Sequence, residues 1–246
     1  MMRIFNNRLP KPLLVFAVAA LSVSTVSAQL PTSVDIGLFP GAVPNTLEVR
    51  VLPSASFGQL MSSLTFTIRW ETASGATIAG PASLVIGQNC PSGFTITPSG
   101  DGTVTSGGFN YCTFNAFGFS QLADACADQV WAANTERVIA TIPFRPGGAC
   151  ANFTIAADGY SSSSNRNYYI SLNGSARTGG IYSTNAVRAV RGDLNRDVQV
   201  NITDFSLFVN AFGGACSSCV ADLNFDGSVN ASDFTLFVNA YGVVCP

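Results

Sequence analysis

Two textures of hydrophobic and polar positions divide the chain. From about residue 30 to 188, short apolar or alternating runs recur between turn clusters. Among them are Leu47-Glu48-Val49-Arg50-Val51, Leu64-Thr65-Phe66-Thr67-Ile68-Arg69-Trp70, Val138-Ile139-Ala140-Thr141-Ile142-Pro143-Phe144, Phe153-Thr154-Ile155 and Tyr168-Tyr169-Ile170-Ser171-Leu172. Period-2 alternation predicts half-buried strands, and it sets Phe66, Ile68 and Trp70 on one face. Pro40-Gly41, Ser74-Gly75, Pro98-Ser99-Gly100-Asp101-Gly102 and Asn173-Gly174 are turn chemistry. A stretch of this length and rhythm predicts a two-sheet β-sandwich with an ample core. Ser120 to Asn134 is the one stretch here that reads as a short helix.

From Gly192 the pattern changes to a repeat at an offset of 29 residues. Asp193–Cys216 and Asp222–Cys245 share 15 of 24 positions. Each copy opens on a loop rich in Asp and Asn and continues into a helix-like run, Phe205–Gly213 and Phe234–Gly242. Phe205, Phe208, Val209 and Phe212 fall at i, i+3, i+4 and i+7, as do Phe234, Phe237, Val238 and Tyr241, predicting one apolar face per helix. Pairing the helices buries one stripe; the remainder is expected to meet the chain's own sandwich or a partner. The predicted organisation is a leader over 1–28, a β-sandwich over 29–189 and a small helical unit over 190–246.

The leader is a secretory signal by its pattern. Arg3, Arg8 and Lys11 precede the apolar run Leu13 to Val26, and Val26-Ser27-Ala28 offers a cleavage site. The run is shorter than the roughly 20 apolar residues that a span needs. Its removal leaves nine arginines against fourteen acids, a formal charge of −5. A secreted chain keeps its seven cysteines in an oxidising compartment, where most should pair. Sequence order suggests Cys90 with Cys112 and Cys126 with Cys150, although spacing alone does not fix connectivity. An odd count leaves one thiol over.

The same composition removes whole classes of chemistry. No histidine occurs, which excludes Ser-His and Cys-His catalytic pairs and imidazole-ligated zinc. The only lysine lies in the leader, so lysine nucleophiles are excluded from the rest. An acidic chain has no basic footprint for nucleic acid.

The repeated loops carry the strongest chemistry. A hard cation needs several oxygens converging on one point, and Asp/Asn at alternate positions of a 12-residue loop supply them. The second loop offers Asp222, Asn224, Asp226, the Ser228 carbonyl, Asn230 and Asp233, with Gly227 at the sharp turn. The first offers Asp193, Asn195, Asp197, the Gln199 carbonyl, Asn201 and Asp204, but places Val198 at that turn. A β-branched residue is strained where φ is positive, so two Ca²⁺ sites are expected, the one at 222–233 stronger and the first weaker or distorted. Helix capping without metal is the plainer reading of such residues, and two complete ligand sets weigh against it.

On these residues the tail from Gly192 to about Gly242 resembles a type I dockerin, a calcium-dependent module that docks onto cohesin domains. The resemblance implies that Ile202, Thr203, Ala231 and Ser232 occupy positions that read the cohesin, while Val209-Asn210 and Val238-Asn239 stand where a Lys-Arg pair is frequent. The family's pseudo-twofold symmetry further implies a local Cys216–Cys219 link and leaves Cys245 as the odd thiol. The N-terminal region resembles, less specifically, cohesins and related carbohydrate-binding sandwiches, through Leu64–Trp70, Val138–Phe144 and Tyr168–Gly174.

A glycosidase needs two carboxylates across a cleft. Asp35, Glu48, Glu71, Asp101, Asp124, Asp128, Glu136 and Asp158 form no such motif. Trp70, Trp131, Tyr111, Tyr160, Tyr168, Tyr169 and Tyr182 are candidates for stacking sugar rings, each more readily explained as core. The expected function is therefore non-catalytic binding or assembly outside the cell, through a cohesin-like partner or onto the chain's own sandwich. The alternatives are a carbohydrate-binding accessory subunit of a polysaccharide-degrading system and a hydrolase of unrecognised type.

Overall fold

The computed structural model describes residues 30–78, 94–118, 121–122, 130–163, 165–216 and 219–246. The expected leader over 1–28, Cys90, Cys126 and most of the helix expected over Ser120–Asn134 lie outside them. At the end of that last stretch Trp131 makes a bridge to Phe57 rather than continuing a helix.

Among the described residues, twelve strands build two sheets. The first comprises β1 (Val34–Pro40), β2 (Thr46–Pro53), β4 (Thr77–Ile78), β7 (Arg137–Arg145) and β11 (Thr178–Ile181), in the order β11-β1-β2-β7-β4. The second runs β10 (Ser175–Ala176), β9 (Tyr169–Leu172), β3 (Met61–Glu71), β6 (Phe109–Gly118), β5 (Phe94–Ser106). Strand β8 (Ala151–Ile155) joins β3 beyond β9 and pairs on its other side with β12 (Val187–Ala189). The two inner faces fill one core, and Phe66, Ile68 and Trp70 are fully buried in it, as their spacing predicts. Phe66 stacks on Phe114 across the β3–β6 pair at 5.2 Å. Burying each such side chain contributes roughly 1.5–3 kcal/mol. The indole N–H of Trp70 donates to the Ala76 carbonyl at 2.8 Å, which fixes the turn after β3.

The first cysteine pairing fails on the same alternation. Cys112 lies opposite Ile68 on the inner face of β6, 1% exposed, and is a free thiol. As a free thiol it is not bridged to Cys90, and burial, which pushes its pKa up to about 12, makes it an inert core residue.

Beyond Ala189 a second, separate core begins. Val190, Leu194, Val200, Phe208, Leu223, Val229, Phe237 and Ala240 are buried together under two helices. A short helix in the sandwich, α1, spans Gly159–Ser162; the paired ones are α2 (Ile202–Ala211) and α3 (Ala231–Ala240). Both begin three residues before the apolar pattern does. Asn201 and Asn230 cap them by accepting from the second residue of the helix, while Asp204 and Asp233 reach back to the cap amide. The capping box, not the hydrophobic stripe, sets the start.

The helices meet through two rings from each, Phe205 and Phe208 against Phe234 and Phe237. Phe208 stacks on Phe237 at 5.3 Å, and both are 1% exposed. The wider face predicted from spacing is not buried: Val209 and Phe212 are 53% and 51% exposed, Val238 and Tyr241 52% and 50%. The sandwich does not cover them, because the Asp/Asn loops, not the helix faces, turn toward it.

Candidate metal loops and their seam with the sandwich

Each loop is wound around its own acidic residues. In the first, Asp193 accepts from the amides of Asp197 (3.1 Å) and Val198 (2.9 Å), and Asn195 Oδ1 accepts from Asp197 (3.0 Å). In the second, Asp222 accepts from Asp226 (3.1 Å) and Gly227 (2.8 Å), and Asn224 Oδ1 from Asp226 (3.0 Å). Closure comes from the helix start. Asp204 accepts from the amides of Leu194, Asn195 and Asn201, and Asp233 from those of Leu223, Asn224 and Asn230.

This winding brings three carboxylates together in each loop. Oxygens of Asp193, Asp197 and Asp204 lie within 4.8 Å of one another, as do those of Asp222, Asp226 and Asp233. Asp204 and Asp233 are fully buried, and no ion pair among the described residues involves either cluster. Burying carboxylates side by side without a cation is costly. Burial, with the neighbouring Asp204 adding to it, raises the pKa of Asp193 against the lowering pull of the Val198, Arg196 and Asp197 amides. An all-oxygen donor set with unbalanced negative charge fits a hard divalent cation.

The remaining candidate ligands divide. Among the described residues, no hydrogen bond ends on the carbonyl of Gln199 or Ser228, so both stay available to a cation. Asn201 and Asn230 use Oδ1 as helix caps for Thr203 and Ser232. A capping oxygen at the ninth position suits contact through water. The distortion expected at Val198 is absent: it takes φ 65° where Gly227 takes 90°, and its amide makes the same bond. Backbone strain at Val198 replaces distortion of the loop.

A pseudo-twofold arrangement ties the halves together. The first loop pairs with the segment after α3, through Val200 N to Val243 O and Cys245 N to Val198 O. The second pairs with the segment after α2, through Gly213 N to Val229 O and Cys216 N to Gly227 O. The Cys216–Cys219 disulfide forms as expected. Cys245 is not the odd thiol, and Cys150 does not pair with Cys126: Cys150 and Cys245 are bonded to each other. The repeat explains why. Cys245 is the counterpart of Cys216, and the counterpart of Cys219 is Val190. The β8–β12 register, Ala151 opposite Ala189, sets Cys150 across from Val190. The sandwich supplies the cysteine that the repeat lacks.

Two further seam residues carried no signal in the sequence. Arg196 and Phe225 are fourth in their loops, both with positive φ (66° and 63°). The Arg196 guanidinium donates to the carbonyls of Gly41 and Ala42, in the turn between β1 and β2. Arg145, at the end of β7, stacks its guanidinium over Phe225 at 4.8 Å. Arg191 N donates to Gly147 O at 2.8 Å. Gly147 is tightly placed, since a Cβ there would stand 1.8 Å from the Ser74 carbonyl.

The acidic and aromatic candidates of the sandwich are taken up by local structure. Glu48 and Glu136 flank Arg50 at 2.8 and 2.9 Å, Glu71 holds Asn152, and Asp35 accepts from Gly180 N. Asp158 caps α1 and pairs with Arg69 at 2.7 Å. Burial opposes its charge, but the Ser161 amide, Arg69 and Tyr111 outweigh burial and lower its pKa. The side chains of Asp101, Asp124 and Asp128 lie outside the described residues. Trp70, Trp131, Tyr111 and Tyr168 are buried, Tyr160 stacks on Tyr111 at 4.0 Å, Tyr182 packs on Phe39, and Tyr169 is exposed.

No curated protein matches the chain. Solved structures similar to it include a type I cohesin–dockerin complex from Clostridium thermocellum (9% identity, 63% of this chain and 90% of that one, TM-score 0.35). Others are a type II cohesin domain from the cellulosome of Acetivibrio cellulolyticus (10%, 63% and 94%, 0.40) and a cohesin of ScaC bound to the ScaB dockerin from the same organism (17%, 64% and 98%, 0.34). Residues 191–241, which hold both loops and both helices, match the family model of the dockerin type I domain.

Proposed function

We infer that the chain is a secreted, non-catalytic assembly protein. Its unit over 190–246 binds two calcium ions and docks through its helices onto a cohesin-like domain, and its sandwich over 29–189 forms the body that is carried. The observation that carries this reading is the uncovered helix face. Ile202, Val209, Phe212, Val238 and Tyr241 are each at least 50% exposed on two helices and their C-terminal caps, whose inner rings Phe208 and Phe237 are fully packed. Apolar groups gathered on one surface mark an interaction site. Thr203, Ala231 and Ser232, at the first turns, are exposed beside them. Secretion rests on the leader pattern, and the two disulfides among the described residues suit that compartment.

The loops' own residues supply the metal chemistry. Asp193, Asn195, Asp197, the Gln199 carbonyl and Asp204 would hold one ion, and Asp222, Asn224, Asp226, the Ser228 carbonyl and Asp233 the other, with Asn201 and Asn230 reached through water. The ions would neutralise charge that the fold otherwise confines. The test is binding of the full chain to a panel of type I and type II cohesin domains, in calcium and in chelator. Calcium-dependent capture that is lost in Val209→Asp/Val238→Asp supports the reading, and no capture by any member rejects it.

A further inference from the structure

We propose that the calcium loops and the Cys150–Cys245 disulfide form a metal-dependent lock, which holds the helical unit on one end of the chain's own sandwich and directs the helix face away from it. This rests on the loops being calcium sites and goes beyond it, because it assigns the loop side of the unit to the sandwich.

The contacts converge on one end of the sandwich. The turn after β1 gives the Gly41 and Ala42 carbonyls, the end of β7 gives Arg145, the next turn gives the Gly147 carbonyl, and the start of β8 gives Cys150. Opposite them stand Arg196, Phe225, Arg191 and Cys245. Arg196 and Phe225 are equivalent under the 29-residue repeat, so the unit grips with the same position of each loop. Apolar packing does not hold the seam alone, for a cleft of about 690 Å³ opens in it, lined among others by Pro40, Thr46, Asn185 and Arg196.

Metal dependence follows from where those two residues sit. Each lies between the ligands at the third and fifth positions, in a left-handed conformation that a non-glycine residue adopts only under constraint. The constraint is the hydrogen bonding of Asp197 N to the side chains of Asp193 and Asn195, and of Asp226 N to those of Asp222 and Asn224. Removing the cation leaves three carboxylates within 4.8 Å, and their repulsion opens the turn that aims Arg196 and Phe225. The disulfide then remains as a tether, keeping the unit attached while its orientation is lost.

Amide hydrogen exchange on the full, oxidised chain tests the lock, with calcium or chelator present. Chelation should speed exchange at Arg191 and across residues 41–46 and 145–149 by tenfold or more. Arg196→Ala/Phe225→Ala should loosen the same segments in calcium while still titrating two calcium ions, since neither residue is a ligand. Cys245→Ser should stay protected at the seam in calcium and lose that protection in chelator. The lock is overturned if chelation changes the loops but leaves 41–46, 145–149 and Arg191 as they were. Loops indifferent to calcium would instead sink the calcium reading itself, and the two failures are distinguishable in one experiment.

Discussion

The two halves of the C-terminal unit are near-copies that solve the same problems with different residues. Asp204 and Asp233 close their loops with the same three amide bonds. Val198 and Gly227 occupy the same turn, and Arg196 and Phe225 reach the sandwich by different chemistry. The ends diverge furthest: Cys216 bonds three residues away, Cys245 to Cys150 of the sandwich, just before β8 and 95 residues back. Duplication keeps the ligand geometry intact because every bond within a loop is local. Attachment to the sandwich breaks the symmetry, since each half meets a different part of it.

The largest break in that comparison is at the cysteines. Closing a loop of 95 residues constrains the unfolded chain far more than closing one of three. Cys245→Ser should cost about 4 kcal/mol in denaturant unfolding and Cys216→Ser about 2 kcal/mol. Equal losses would show that the long bridge is strained in the folded state or that the unfolded chain is already compact there. Next come the closing carboxylates. Asp233→Ala strands three amides in the second loop, one buried and two part-buried, a loss of about 3 kcal/mol. The titration should fall from two calcium ions to one. Asp204→Ala should do the same in the first loop, and retention of both ions in either variant would remove the carboxylate from the ligand set.

Much of this was legible because it is periodic or repeated. Phe66, Ile68 and Trp70 announce their face by alternation alone, and the 29-residue repeat exposes the ligand set without any structure. What was not legible depends on partners distant in sequence. Cys150 could not be matched to Cys245 until the β8–β12 register put it beside Val190. Helical spacing placed Val209 and Phe212 with Phe208, yet only Phe208 is buried, because a ten-residue helix with one neighbour buries a narrow stripe. Arg196 and Phe225 look like ordinary variable positions in the sequence; only their positive φ and the end of the sandwich give them a role.

The smallest change sharpens the comparison most. Val198 holds a left-handed turn that costs a β-branched residue about 1–2 kcal/mol, whereas Gly227 holds it freely. A Cβ at Gly227 would meet nothing nearer than the Cys216 carbonyl at 3.9 Å, so Gly227→Val chiefly tests backbone strain. It should weaken the second calcium site by about tenfold, as 1.4 kcal/mol does. Val198→Gly should strengthen the first site by less, because Val198 also packs against the core of the unit and that contact is lost. The two effects separate by readout: calorimetric titration should show tighter binding at the first site, while the melting temperature in chelator should not rise. A first site unchanged by Val198→Gly would mean that this packing fully offsets the strain, and that Val198 does not set the affinity of the first loop.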